Sequence, residues 1–347
     1  MDLANATPLA ARVRVWDGDE PDRREGVVLA KATWQYTPAG ALSLDVAKPF
    51  PLFDNDERSP FGIIPRDDLP RGEEGFEVIF LGSAHAPRGS AVTEMTVSLR
   101  VGEVERSLCV VGDRVVRDGV IAAPQPFTTM DLGWSNAFGG AAEVLVDRDA
   151  PVIVSDVRNP AGKGFDPAPQ AFALCEALKA PKGYPVILGG ARVLPNVEHP
   201  SHRITSPSDA PEPVSWATRS MSSAGHATRA MDLEASQRAG TPVLTARAFH
   251  RAVDEWIIDR PAEGAEVALR GLDPEGTVRF ALPRMRVACD FQVGASATTL
   301  ELLPETLLVV GPWRRFTVLY RARFHYWEYP DETASARLWT RDMGGGR

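Results

Sequence analysis

The chain has 347 residues, with 38 Lys and Arg set against 46 Asp and Glu for a formal charge of −8. That length is enough for one large core or two ordinary ones, and the acidic balance argues against nucleic acid or an anionic membrane surface as a partner. Cys109, Cys175 and Cys289 are far apart and odd in number, which excludes a disulfide framework and a Cys-x-x-Cys metal knuckle and fits a reducing compartment. No segment reaches the ~20 apolar residues of a membrane span, and Met1 to Pro8 lack a basic stretch followed by an apolar core, so the expected location is cytoplasmic.

Arg12–Trp16 and Gly26–Tyr36 read as strands separated by a charged loop, with Lys31 snorkelling from a strand edge. Residues 42–69 form a Pro-rich passage that crosses the surface. Its acids Asp54, Asp56 and Glu57 lack the glycine and late glutamate of a hand-type calcium loop, and read as a solvated loop. From Phe76 to Gly140, short apolar runs alternate with polar residues between Gly, Pro and Asp breaks, which predicts a β-meander containing His85 in a turn and Cys109 as a small buried hydrophobe.

Glu143–Val146 and Pro151–Val154 predict a further hairpin. Arg158 to Phe165 is Gly-rich and carries Lys163 but fails the Walker spacing, leaving a structural loop or an anion-binding turn. Gln170–Lys179 predicts a short helix with Phe172, Cys175 and Leu178 or Leu174 on its core face, ended by Pro181. A Pro-rich connector runs from Leu194 to Pro213. The stretch from Trp216 to Gly240 has weak β character and leaves open one or two helices or a partly mobile segment. His199 and His202 flank Pro200 with no third ligand nearby, so no metal is expected; His85, His226, His250 and His325 stand alone in sequence.

Strand-like runs return between Asp254 and Ala322, separated by Pro-Ala-Glu-Gly and Asp-Pro-Glu-Gly turns. The aromatics and arginines between Trp313 and Tyr329 have two readings. Alternate aromatics of a strand fill a core, or Trp313, Arg315, Tyr320, Arg323, Tyr326 and Trp327 form a protein-binding surface. The tail from Asp342 onward reads as frayed. The predicted class is mainly β: antiparallel meanders forming sandwich- or barrel-like sheets, with a few short helices. Residues 1–200 and 251–347 are the β-rich regions, packed as one continuous domain or two, and 201–250 a variable, partly helical connector. No catalytic, cofactor or metal grammar is present, although a hydrolase site assembled from distant residues, with His85 and nearby acids as candidates, stays open.

Strings in one fixed order then carry a resemblance. Val27 to Trp34, Ile64 to Leu69, Gly82 to Pro87, Val97 to Gly102, Val111 to Arg114, Pro126 to Thr128, Trp134 to Gly140, Arg158 to Phe165 and Leu194 to Glu198 resemble the domain-of-unknown-function family 2169 over roughly residues 5 to 200. Leu269 to Gly276 and Phe280 to Pro283 match more loosely, and residues 215–250 depart from the pattern. The resemblance implies a non-enzymatic adaptor or chaperone of type VI secretion. Such a protein would bind a cognate toxic effector, with the spike or spike-tip protein as a further partner, and help load that effector onto the spike.

Overall fold

In the computed structural model, every residue is described except 69–74, 149–150, 220–232, 242, 244, 246–248, 329–331 and 343–347; expectations for His226, Tyr329 and the tail beyond Asp342 lie outside the described residues. The frame is built by strands β1 (Asp2–Asn5), β2 (Ala10–Asp17), β3 (Arg23–Tyr36), β4 (Phe76–Leu81), β5 (Glu94–Val101) and β6 (Val104–Val111). After the middle of the chain come β7 (Glu266–Asp273), β8 (Gly276–Ala281), β9 (Met285–Val293), β10 (Ser296–Val310), β11 (Arg315–Trp327) and β12 (Ala334–Asp342). Among the described residues, two α-helices, α1 (Ala168–Leu178) and α2 (Leu233–Ala239), accompany shorter strands elsewhere. The protein is mainly β, as its alternating apolar runs predict.

The largest sheet runs β1-β12-β9-β10-β11-β3-β2, with β4 added alongside β10. It curls into a nearly closed barrel. A second sheet runs β6-β5-β7-β8, with Val197–Glu198 as a short strand beside β6. The predicted hairpin of β5 and β6 is present, with Val104 opposite Val101. The predicted meander is corrected at its first strand: β4 pairs parallel to β10 and antiparallel to Ile257–Ile258, not with its sequence neighbours. All positions from Phe76 to Leu81 are buried, including Glu77, whose carboxylate accepts from the Arg251 N–H at 2.7 Å and the Thr306 hydroxyl at 3.1 Å; a strand covered on both faces belongs inside a covered sheet rather than on a half-solvated meander.

One core cluster joins the two sheets and draws Val28, Phe80, Leu99, Leu269 and Phe316 together. The regions 1–200 and 251–347 therefore share strands and core. The segment read as a variable connector also reaches inside, since Val214, Trp216 and Ala217 belong to the same cluster. Trp216 meets Trp256 edge to face at 5.9 Å, and its carbonyl accepts the Phe80 N–H at 3.0 Å.

A smaller cluster of Val144, Val146, Val154, Ala171 and Cys175 packs α1 on the hairpin Ala141–Leu145/Pro151–Ser155. The expected core face of α1 is rotated. Ala171 and Cys175 are buried and Leu174 packs beside them, whereas Phe172 and Leu178 are exposed, because the helix covers a single hairpin and only a narrow stripe meets it.

Lys31 is also corrected. Its side chain is 2% exposed, ion-paired with Asp67, donates to the Pro51 carbonyl at 3.0 Å and lies 4.7 Å from the centre of the Phe53 ring. The Pro-rich passage folds back over β3 instead of crossing open surface: the Phe50 N–H donates to Thr33 Oγ1 at 2.9 Å and the Phe53 N–H to Asp67 Oδ2 at 2.7 Å. Its acids diverge rather than converge, Asp54 pairing with Arg12 and Arg14, and Asp56 with the buried Arg251.

Candidate functional site

β10 is a 15-residue strand that changes partners midway. Ser296–Leu302 pair with β9, and Leu303–Val310 pair with β11, across a register shift between Pro304 and Thr306. Proline supplies no ladder donor and a bulge increases local twist, so the two strands part where Pro304 stands. Beyond that point Ala322–Trp327 of β11 pair only with β3, and Ser296–Leu302 only with β9, among the described residues. Two strand edges thus face each other across a wedge.

The wedge holds two adjoining openings of about 450 and 350 Å³ that share Leu300 and Arg323 on their walls. Phe291 lies 4.7 Å from Phe324 and 5.5 Å from Tyr326, ring centre to ring centre, forming an aromatic floor. Trp327 and Leu303 are each 43% exposed at the rim. At the narrow end Arg321 is buried, donating to Glu305 at 2.7 Å and to the Asp67 carbonyl at 2.8 Å, and so ties the wedge to the Lys31 pair. An aromatic, partly open gap between two strand edges is suited to an added strand.

The six aromatic and arginine residues singled out in the sequence do not form one surface. Arg323, Tyr326 and Trp327 line the wedge. Arg315 opens the 13-residue β11 and Trp313 just precedes it, so Arg315 lies roughly 25 Å from Arg323 and roughly 40 Å from Trp327 along the strand at ~3.3 Å per residue. There Trp313 stacks on Phe50 at 5.8 Å, and Arg315 sits 4.5 Å over the same ring while pairing with Asp45 at 2.6 Å. Tyr320 is 4% exposed and belongs to the core, where burial raises its hydroxyl pKa. The core and surface readings therefore divide the strand: Phe316 to Arg321 are buried throughout, and alternation of inward Phe324 with outward Arg323 and His325 begins where β10 leaves. Sequence reading missed the β10 edge, whose available signal was Pro304 inside a strand-like run.

The other sequence candidates sit elsewhere. His85 lies on the short strand Ser83–His85 opposite Thr129; burial pushes its pKa down while Asp273 pulls it up. Asp273 is itself held by both Nε and Nη2 of Arg314 at 2.9 Å. The His199 and His202 rings are 5.2 Å apart, with His199 Nδ1 accepting the Ser201 N–H at 3.1 Å. Among the described residues no group of three or more His, Cys, Asp or Glu is placed to hold a metal ion.

All three cysteines are buried, and burial pushes the Cys109 thiol up to about 12. The folded protein is therefore expected to resist iodoacetamide at pH 8, with its three thiols reacting promptly only in urea. Rapid modification of Cys109 in the native protein, read by mass spectrometry, would contradict that environment.

A family model described as "Uncharacterized protein conserved in bacteria (DUF2169)" matches residues 22–321. The chain belongs to the DUF2169 family. The match extends well past residue 200, where the sequence resemblance was strongest, and takes in β7 to β10. Searches of curated proteins and of solved structures found no match. No described helix is long and apolar enough to cross a membrane.

The strings that carry the DUF2169 resemblance are largely internal staples. Asn159 Nδ2 donates to the carbonyls of Trp134 at 2.8 Å and Phe138 at 2.9 Å, locking Arg158–Phe165 onto Trp134–Gly140. Asn196 Nδ2 bonds the Val111 carbonyl at 2.8 Å and Asp113 at 3.0 Å, and Glu198 pairs with the buried Arg114. A Cβ on Gly112 would stand 1.7 Å from the Gln125 carbonyl oxygen, so only glycine fits that approach. These residues fix the frame from which the wedge opens.

Proposed function

We propose that this DUF2169 protein is a non-enzymatic adaptor that takes up an extended segment of a partner polypeptide in the wedge between β10 and β11. The partner is a toxic effector of type VI secretion, which the adaptor stabilises and delivers toward the secretion spike. The observation that carries the binding role is the pair of facing strand edges, each without a partner strand on that side among the described residues. Backbone groups along such edges give affinity to an added strand, and the aromatic floor supplies pockets for its alternate side chains. The effector as partner rests on the family resemblance.

Co-expression with the effector encoded beside it tests the proposal. The effector is expected to gain soluble yield and to co-purify, and Trp327→Ala combined with Arg323→Glu is expected to weaken the complex by roughly tenfold or more. An effector equally soluble and secreted without this protein, or wild-type affinity in the double variant, would sink it.

A further inference from the structure

We propose a second binding site, for the free C-terminal carboxylate of a polypeptide ending in an apolar residue, in the pocket between the Gly139–Gly140 and Gly162–Phe165 turns. This pocket has a volume of about 650 Å³, within the range of small-ligand sites. It shares no lining residue with the wedge, so either site stands or falls without the other.

Charge singles out Lys163 on its wall. Arg192, the other cation there, is occupied by Asp166 at 3.2 Å and by the Pro207 carbonyl. The Lys163 ammonium makes no hydrogen bond or ion pair among the described residues. Asp113 acts on it only at longer range, and that carboxylate already accepts from Asn196 Nδ2 at 3.0 Å. Half-buried cations gain from an anionic partner, and burial pulls the Lys163 pKa down in the absence of one.

The remaining walls narrow the anion to a carboxylate with an apolar neighbour. Ile187, Leu188 and Val193 face the pocket while 41%, 39% and 42% exposed. Phosphate would call for several converging donors, whereas one ammonium beside an apolar ledge matches a carboxylate and an adjoining aliphatic or aromatic side chain. Gly119 and Gly190 also line the pocket, and nothing lies within 4 Å of where a Cβ would stand on either, which lets the backbone of a ligand approach closely and favours a chain terminus over the tip of a long acidic side chain.

The test uses N-acetylated hexapeptides ending in Leu, Val or Phe, each as free acid and as C-terminal amide. A further amidated peptide carries an internal Glu. Titrations of the full-length protein follow the methyl resonances of Ile187 and Leu188. Free acids are expected to shift these resonances saturably, and amidation to weaken binding at least about tenfold. Lys163→Met should do the same without altering the thermal melt, and Ile187→Asp offers a second variant on the apolar ledge. Equal binding of acid and amide, equal binding of the internal-Glu peptide, undiminished binding by both variants, or no saturable shift with any free acid would overturn the proposal.

Discussion

Replacing Lys31 by alanine is expected to lower the stability of the fold by about 3–5 kcal/mol, the range found when one partner of a buried ion pair is removed. Lys31 and Asp67 have side chains 2% and 8% exposed, so water does not rescue the carboxylate once the ammonium is gone. Asp67 would keep the Phe53 N–H on Oδ2 but lose its countercharge. The same truncation leaves a void under the Phe53 ring, which adds a packing loss to the electrostatic one.

Lys31→Met combined with Asp67→Asn separates the two effects. It keeps most of the volume and an acceptor for Phe53 while removing both charges, and should recover more than half of the loss, because a buried pair exchanged for neutral groups of similar size is often nearly neutral. Urea unfolding of the wild type, the single variants and the double variant gives the coupling directly. A coupling below ~1 kcal/mol, the level of exposed pairs, would show that the charges are solvated in solution.

The second large effect lies in the segment that reads as a connector. Trp216→Ala is expected to cost about 3–5 kcal/mol, as large aromatic truncations in packed cores do. Trp216 is 1% exposed, meets Trp256 edge to face and donates from Nε1 to Glu255 at 3.3 Å. Its main chain adds a bond to β4 through Phe80, so the ring and backbone together pin Val214–Thr218 beneath the barrel sheet. Trp216→Phe should lose less than half as much, since it keeps an aromatic ring against Trp256. A denaturation midpoint for Trp216→Ala close to that of wild type would mean that the segment detaches without consequence for the core.

Elements whose pattern is local were legible in the sequence. The β5–β6 hairpin, the hairpin that follows Gly140, and α1 follow from alternation, turn residues and helix formers close together in the chain. Pairing between distant strands was not legible. The apolar run of β4 shows that both its faces are covered, but its neighbour β10 is chosen by a match 229 residues away. Lys31 likewise looks like an edge residue until Asp67 is brought over it from 36 positions downstream. The wedge was half visible: Arg323, Tyr326 and Trp327 stood out by composition, whereas Ser296–Leu302 opposite them, small or polar apart from Leu300 and Leu302, matter chiefly for the edge they expose, with Leu300 on the wall of both openings. The pocket at Lys163 was visible only as a Gly-rich string, because its apolar ledge comes from Ile187 on the separate short strand Val186–Ile187 and from Leu188 just after it.

The pairing of early strands with late ones also sets the order in which this protein is made. β3 pairs along its length with β11, and the Arg24–Glu328 contact beside that ladder spans 304 residues. At roughly 5–20 residues per second, ribosomes need about 10–45 s to travel from β4 to its partner β10. Throughout that interval Phe76–Leu81, buried at every position in the folded protein, lacks its parallel partner β10. A topology dominated by such distant contacts folds slowly and only after nearly the whole chain has emerged. The nascent chain therefore spends its own synthesis with Phe76–Leu81 unshielded, and is exposed to aggregation until its last third is complete.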